Sequence, residues 1–310
     1  MNNFADRLIE CIKEKNNPCV VGLDPRLEII PKCFIPQFME SDDEVVFLTL
    51  TSYNRKIIET VSDLVPAIKL QIAFYEQYGI AGLRAFQQTI ITAKEAGLVV
   101  IVDAKRNDIT STAQAYANAF LGTTPIFGKL SPVFDVDCIT ISPFLGQDSL
   151  EPFIDTCLKY GKGVFILVKT SNSGSQDIQD QRLLVDEEIL YEKIARLVND
   201  LGKDLIGSSG YSSIGAVVGA TFPEEARKLR LLMPANLFLV PGYGAQGASA
   251  VDATACFNSD GLGAVINASR SIIARNVDTN ITVEEFENII RSNVSEMIHD
   301  VNKALRRNPF

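Results

Sequence analysis

Histidine is almost missing from this chain: His299 is the only one in 310 residues. That scarcity excludes Ser-His-Asp and Cys-His catalysis, which need a histidine beside the nucleophile. It also excludes zinc and iron sites built from several imidazoles. His299 lies in a charged C-terminal helical stretch, where a surface or packing role is expected. Acid–base chemistry must therefore use Lys, Asp, Glu, Tyr or Cys. The six cysteines, Cys11, Cys19, Cys33, Cys138, Cys157 and Cys256, contain no C-x-x-C pair, so no metal site is expected. Basic charge is also short: 29 Lys plus Arg face 38 Asp plus Glu, a net charge of −9. Nucleic-acid and anionic-membrane partners are excluded on that balance, and any phosphate must be held by a few local cations and backbone amides. No apolar run approaches the 18 or so residues of a membrane span. At the N-terminus Phe4, Leu8, Cys11 and Ile12 share one helical face, an amphipathic helix rather than a signal peptide. A cytoplasmic protein with reduced thiols is expected.

What is present is an alternation of short apolar runs with longer amphipathic ones. The strand candidates are Cys19–Asp24, Ala67–Leu70, Leu98–Lys105, Cys138–Ser142, Gly163–Lys169, Ile214–Gly219, Leu237–Pro241 and Gly263–Asn267. Helical patterns cover about Glu44–Leu64, Tyr75–Ala96, Thr110–Leu121, Asp148–Tyr160, Asp186–Leu201, Pro223–Leu232, Ala248–Phe257 and Val283–Leu305. Strands apolar on both faces, alternating with helices, indicate a parallel sheet. Eight such units predict an α/β fold of the (β/α)8 TIM-barrel type, a single domain over 1–310, with the extra N-terminal helix Phe4–Lys15 closing its bottom. The rival is an open doubly wound sheet, but no G-x-G-x-x-G follows the first strand. Two connections after strand ends are long, Pro25–Asp43 and Thr170–Asp186, and both are expected over the site.

In a barrel the site is built at strand C-termini. The first strand ends in Gly22-Leu23-Asp24-Pro25 and the second in Ile68-Lys69-Leu70-Gln71. The third ends in Asp103-Ala104-Lys105-Arg106-Asn107-Asp108-Ile109, and the fifth in Lys169-Thr170-Ser171-Asn172. Residues two apart on a strand share a face, so Asp103 and Lys105 are expected to point together. With Lys69 and Asp108, two lysines and two aspartates would alternate at one mouth. Spacing alone fits either a catalytic array or a structural ion-pair network at the rim. The seventh strand ends in Pro241-Gly242-Tyr243-Gly244-Ala245-Gln246-Gly247 and the eighth in Asn267-Ala268-Ser269-Arg270-Ser271. Glycines let amides approach an anion, a helix start after Ser269 adds its dipole, and Arg270 can bind two phosphate oxygens. A phosphorylated small molecule is expected beside the Lys/Asp cluster.

These residues resemble the orotidine 5′-phosphate decarboxylase family. Asp-x-Lys-x-x-Asp-Ile at Asp103–Ile109 is similar to its signature. Gly22–Pro25, Lys69, Thr170-Ser171, Pro241–Gln246 and Ser269–Ser271 follow in the family's order. The length and the wording Asp-Ala-Lys-Arg-Asn-Asp-Ile resemble its longer, type 2-like branch. The resemblance implies a carboxy-lyase without cofactor that converts orotidine 5′-phosphate to UMP and CO2 in de novo pyrimidine synthesis. It implies Lys105 as proton donor, Asp103 beside the substrate carboxylate, Lys69 bridging ribose and charge array, Asp24 on a ribose hydroxyl and Gln71 near the ribose. Ser171, with Thr170 beside it, matches the pyrimidine contact. Gln246 and Arg270 match the phosphate grip, flanked by Pro241 and Ser269, with Tyr243 along the same loop. Asp108, Ile109 and Thr112 match residues lent to a partner's site, which implies a homodimer. Ser269 stands where shorter members commonly have Gly, and the Thr170–Asp186 loop is long. A second resemblance, of Val168-Lys169-Thr170-Ser171 to the Schiff-base strand of deoxyribose-phosphate aldolases, makes Lys169 an alternative nucleophile. A catalytically silent phosphate-binding barrel is the remaining alternative.

Overall fold

The computed structural model describes residues 3–37, 41–184 and 187–307. Eight parallel strands close into a barrel with helices between them. They are β1 (Cys19–Leu23), β2 (Ala67–Gln71), β3 (Val99–Arg106), β4 (Cys138–Ile141), β5 (Gly163–Lys169), β6 (Ser212–Val218), β7 (Asn236–Val240) and β8 (Ala264–Ala268). Each pairs with its neighbours in chain order, and β8 closes on β1 with Ile266 opposite Cys19. All residues of β1, β4, β6, β7 and β8 are buried. One face meets the barrel interior and the other meets helices, which is why these strands read as continuous apolar runs.

Two cores follow from that layering. The outer one packs helices such as Asp42–Val61 and Val283–Arg307 on the strands through Tyr53, Ile57, Phe286 and Ile290. The inner one fills the barrel with Val20, Ile101, Phe165, Leu237 and Val265, joined by Phe4, Leu8 and Ile12 of the helix Phe4–Lys15. That helix plugs the bottom, as its amphipathic pattern predicts. Asn3 caps it by accepting from the Asp6 amide at 2.9 Å. Phe4 meets Phe165 edge-on at 5.9 Å. A Cβ on Gly163 would lie 2.1 Å from the Phe4 ring, so only glycine there lets the plug seat.

Arg230 ties the bottom together. It is buried, and its guanidinium donates to the carbonyls of Cys256, Met233, Pro234, Asn236 and Gly263 at 2.7–3.4 Å. Burial pulls it down to about 10, which still leaves it charged at neutral pH. Its guanidinium carbon stands 3.6 Å from the centre of the Phe238 ring. Arg230→Met should lower unfolding free energy by about 3 kcal/mol, since several buried carbonyls lose their donor. Arg230→Lys should not restore it, because an ammonium cannot reproduce the planar fork. Denaturant titration of the variants checks both expectations.

The structure departs from the sequence reading at several element boundaries. The helix expected over Tyr75–Ala96 is two helices, Ala73–Glu76 and Gly79–Glu95, broken where Gly79 adopts a φ of 59°. Ala248–Phe257 shrinks to Ala250–Thr254, started by a capping box between Ser249 and Asp252. The helix expected from Asp186 begins at Leu190; Asp186 lies outside the described residues. A small antiparallel hairpin, Thr124–Ile126 with Lys129–Ser131, has no counterpart among the expected elements. Its strands are three residues each and mostly exposed, so they carry no apolar run to read. The Pro25–Asp43 connection packs through Phe34 onto Tyr53 and Phe286, at 5.6 and 5.0 Å between ring centres; residues 38–40 of it lie outside the described residues. Among the described residues no helix is long and apolar enough to cross a membrane. The six cysteines are unpaired, and burial pushes the thiols of Cys19, Cys138, Cys157 and Cys256 up. His299 is exposed on the C-terminal helix.

Candidate active site

A cavity of about 640 Å³ opens at the C-terminal ends of the strands. Asp24 reaches it from the end of β1, Lys69 and Gln71 from β2, Asp103 and Lys105 from β3, and Thr170 and Ser171 from the end of β5. Pro241 and Gln246 follow β7, and Ser269 and Arg270 follow β8. The sequence candidates are thus largely gathered around one cavity.

Asp103 is the hub. Its carboxylate accepts from the Lys105 ammonium at 2.6 Å, from Lys69 at 3.4 Å, from the Gln71 amide at 2.9 Å and from the Thr140 hydroxyl at 2.8 Å. Burial alone would raise this acid, but the charges of Lys69 and Lys105 and the bonds from Lys105 and Thr140 outweigh it and hold it at about 2. Lys69 is buried too. Burial would lower it, yet Asp24 at 3.8 Å and Asp103 together raise it above the usual lysine value. Acidic and basic side chains therefore alternate along the array, in the order Asp24, Lys69, Asp103, Lys105. At an effective dielectric of about 20, one such pair at 4 Å is worth about 4 kcal/mol.

Asp108 does not join this array within its own chain. It, Ile109 and Thr112 lie outside the cavity wall, and Asp108 turns back to accept from the Ile109 amide at 2.7 Å. The alternation at one mouth is completed by Asp24 instead. The facing of Asp103 and Lys105 is also not simple strand alternation. Between the pairs Val102–Ile139 and Arg106–Ile141 the register shifts, four steps on β3 against two on β4. In that bulge Lys105 has a φ of 49°, the left-handed region that side chains seldom occupy.

Leu167, Val217 and Leu239 from β5, β6 and β7 add an apolar part to the lining. Thr170 and Ser171 divide their roles. The Thr170 hydroxyl donates to Asn172 at 2.7 Å and accepts from Gln179 at 2.9 Å, while the Gln179 carbonyl takes the Thr170 amide. Thr170 is thus engaged on both sides, and Ser171 is the better placed for a ligand. Gly219 lies so close behind Ser171 that a Cβ there would come within 2.7 Å of its backbone.

The Gly242–Gly247 loop turns through left-handed glycines at 242, 244 and 247 and presents Ala245 and Gln246 to the cavity. The helix after Ser269 is a single turn, Arg270–Ile273. Tyr243 is tied to Asp300 of the C-terminal helix at 3.0 Å. A cationic, glycine-rich corner therefore stands at one end of the cavity and the Lys/Asp array at another.

Sequence reasoning missed Arg26, Phe74, Gln179 and Asn267, all of which line the cavity. The Arg26 guanidinium stacks over the Phe74 ring at 4.7 Å. The only available signal for Arg26 and Asn267 was their place at the ends of β1 and β8. Asp24 Oδ1 and Asn267 Oδ1 are buried acceptors without a hydrogen-bond partner, and both residues line the cavity. Lys169, the alternative nucleophile, is not part of the cavity wall. It is fully buried, ion-paired with Asp180, with its ammonium 4.4 Å from the Phe222 ring centre and 5.5 Å from that of Tyr191. Its role is to tie down the long loop after β5, of which residues 185 and 186 lie outside the described residues. Among the described residues no group of three or more His, Cys, Asp or Glu is placed to hold a metal ion.

Residues 20–286 match the model of the orotidine 5′-phosphate decarboxylase / HUMPS family. The chain is 45% identical over 276 residues to an orotidine 5′-phosphate decarboxylase of Caldicellulosiruptor bescii, covering 88% of this chain and 90% of that one. It is 40% identical over 303 residues to the enzyme of the same name from Clostridium tetani, covering 97% and 99%. Among solved structures, OMP decarboxylase of Leishmania donovani superposes with a TM-score of 0.73 at 31% identity, covering 98% of this chain and 99% of that one.

Proposed function

The chain belongs to the orotidine 5′-phosphate decarboxylase / HUMPS family, and from that premise we propose that it converts orotidine 5′-phosphate to UMP and CO2 in pyrimidine biosynthesis. The observation that carries this reading is the unbroken row Asp24, Lys69, Asp103, Lys105 in one cavity with a cationic corner after β7 and β8. An isolated rim network needs no such cavity.

Decarboxylation breaks the bond from C6 to the carboxylate, and the electron pair stays on C6. The Lys105 ammonium stabilises that pair and then gives it a proton, and the lysine regains a proton from solvent. Asp103 directs the Lys105 ammonium through their 2.6 Å ion pair, and its own charge stands near the leaving carboxylate. Lys69 and Asp24 hold ribose hydroxyls, with Gln71 beside them. Ser171 meets the pyrimidine edge, backed by Thr170. Gln246 and Arg270 grip the phosphate, helped by backbone between Pro241 and Ser269. The phosphate lies far from the reacting carbon, so its binding energy can be used to close the loops and orient the ring. The reading assigns no step to a cofactor.

Asp108, Ile109 and Thr112 stand outside their own cavity, and Ile109 is 63% exposed. That supports a homodimer in which they complete the partner's site. Chains carrying Lys105→Ala and Asp108→Ala should each be inactive alone. Mixed after unfolding and refolding, they should recover roughly a quarter of the wild-type rate, because half the dimers are mixed and each holds one intact site. No recovery would remove the shared site. A cytoplasmic location fits the same reading.

The test of the function is isotopic. Turnover of orotidine 5′-phosphate in D2O should yield UMP with one deuterium at C6. Intact substrate after incubation with folded protein would refute it.

A further inference from the structure

Thr140 has no place in the roles above and does not line the cavity, yet it bonds both partners of the Asp103–Lys105 pair. It sits on β4, fully buried. Its hydroxyl donates to Asp103 Oδ1 at 2.8 Å and accepts from the amides of Ala104 at 3.0 Å and Lys105 at 2.9 Å. These amides lie in the β3 bulge, where the ladder to β4 shifts register. A strand amide normally bonds a carbonyl on the neighbouring strand. Here one side-chain oxygen accepts from two amides and donates its own hydrogen bond to the carboxylate of Asp103. The same oxygen therefore fixes the Asp103 carboxylate and the peptide that holds Lys105 at a φ of 49°. A backbone in that region persists only where its surroundings enforce it.

We propose that Thr140 is a positioning residue that sets the Asp103–Lys105 pair in its productive geometry by clamping the β3 bulge. This rests on the reading of the site as a decarboxylase. Without the hydroxyl, two buried amides lose their acceptor and Asp103 loses a donor. The bulge then relaxes toward regular pairing, and Lys105 swings from the point where C6 would lie. A displacement of about 1 Å at a reacting group can cost about 100-fold in rate.

The experiment uses the full chain with Thr140→Val, which keeps shape and removes the hydroxyl, and Thr140→Ser, which restores it. Thr140→Val should lower kcat on orotidine 5′-phosphate by about 100-fold while KM and UMP binding change little. Thr140→Ser should return most of the rate. The acid limb of the Thr140→Val profile should also move to higher pH. Asp103 then has only Lys69, Lys105 and Gln71 to favour its ionised form, with Asp24 beyond Lys69. Should the valine variant fail to fold, Thr140→Cys keeps the volume with a weak donor and must show the same kcat loss. Wild-type kcat in the folded valine or cysteine variant would overturn the clamp and leave the decarboxylase reading standing. Equal losses in the serine and valine variants, with UMP binding lost in both, would also overturn it. Absence of turnover in the wild type would instead overturn the decarboxylase reading, and the clamp with it.

Discussion

Lys105→Ala is expected to bind UMP with nearly normal affinity and to lose turnover by about 10⁴-fold or more, the combined scale of a lost proton donor and a lost electrostatic partner. The separation follows from geometry. Lys105 reaches Asp103 at 2.6 Å, while the glycine-rich corner with Arg270 after β7 and β8 does not depend on it. In the proposed reading, product binding rests on that corner and on the sugar contacts. The loss should fall on kcat, since the interaction with charge at C6 exists only as the carboxylate departs. Calorimetry with UMP and a turnover assay on the same preparation check the two halves. A variant with near-normal turnover would remove Lys105 from the chemistry.

The second large effect is Arg270→Ala. If Arg270 grips the phosphate as proposed, two charge-assisted bonds at about 1.5–3 kcal/mol each correspond to a loss in kcat/KM of about 10³-fold. The diagnostic comparison is orotidine, which lacks the phosphate. If the phosphate grip supplies binding energy that orients the ring, Arg270→Ala should depress the rate on the nucleotide and leave the slow rate on the nucleoside unchanged. Equal losses on both would place Arg270 elsewhere in the site.

Acid should affect the array late. Asp103 is held at about 2, below its ordinary 3.8, so it stabilises the fold above about pH 4 and that contribution fades as pH falls toward 2. Lys69 is raised, so its contribution persists through neutral pH and fades only at high alkalinity.

The barrel was legible because its strands are buried on both faces and its helices are long enough to show their stripe. Element ends were less so. Gly79 could equally be tolerated within a helix or break one, and only its left-handed φ decides for the break. The charged residues of the site were legible from their place at strand ends. Their mutual arrangement was not. Strand alternation predicts the right partners for Asp103 and Lys105 but for a regular strand, whereas the β3 bulge sets their geometry. Thr140 was invisible for the same reason: a threonine within an apolar run reads as ordinary strand packing until the bulge beside it is known. Arg26 and Phe74 come together only in space, one from the connection after β1 and the other from the short helix Ala73–Glu76. Lys169 shows the converse, a lysine at a strand end whose burial against Asp180, Tyr191 and Phe222 takes it away from the cavity.

The most direct measurement adds folded full-length protein to orotidine 5′-phosphate without any cofactor and follows the ultraviolet absorbance of the pyrimidine. The spectrum should pass to that of UMP, with one CO2 released per substrate consumed and no change when Lys105→Ala replaces the wild type. An unchanged orotidine spectrum in the presence of folded wild-type protein would contradict the account.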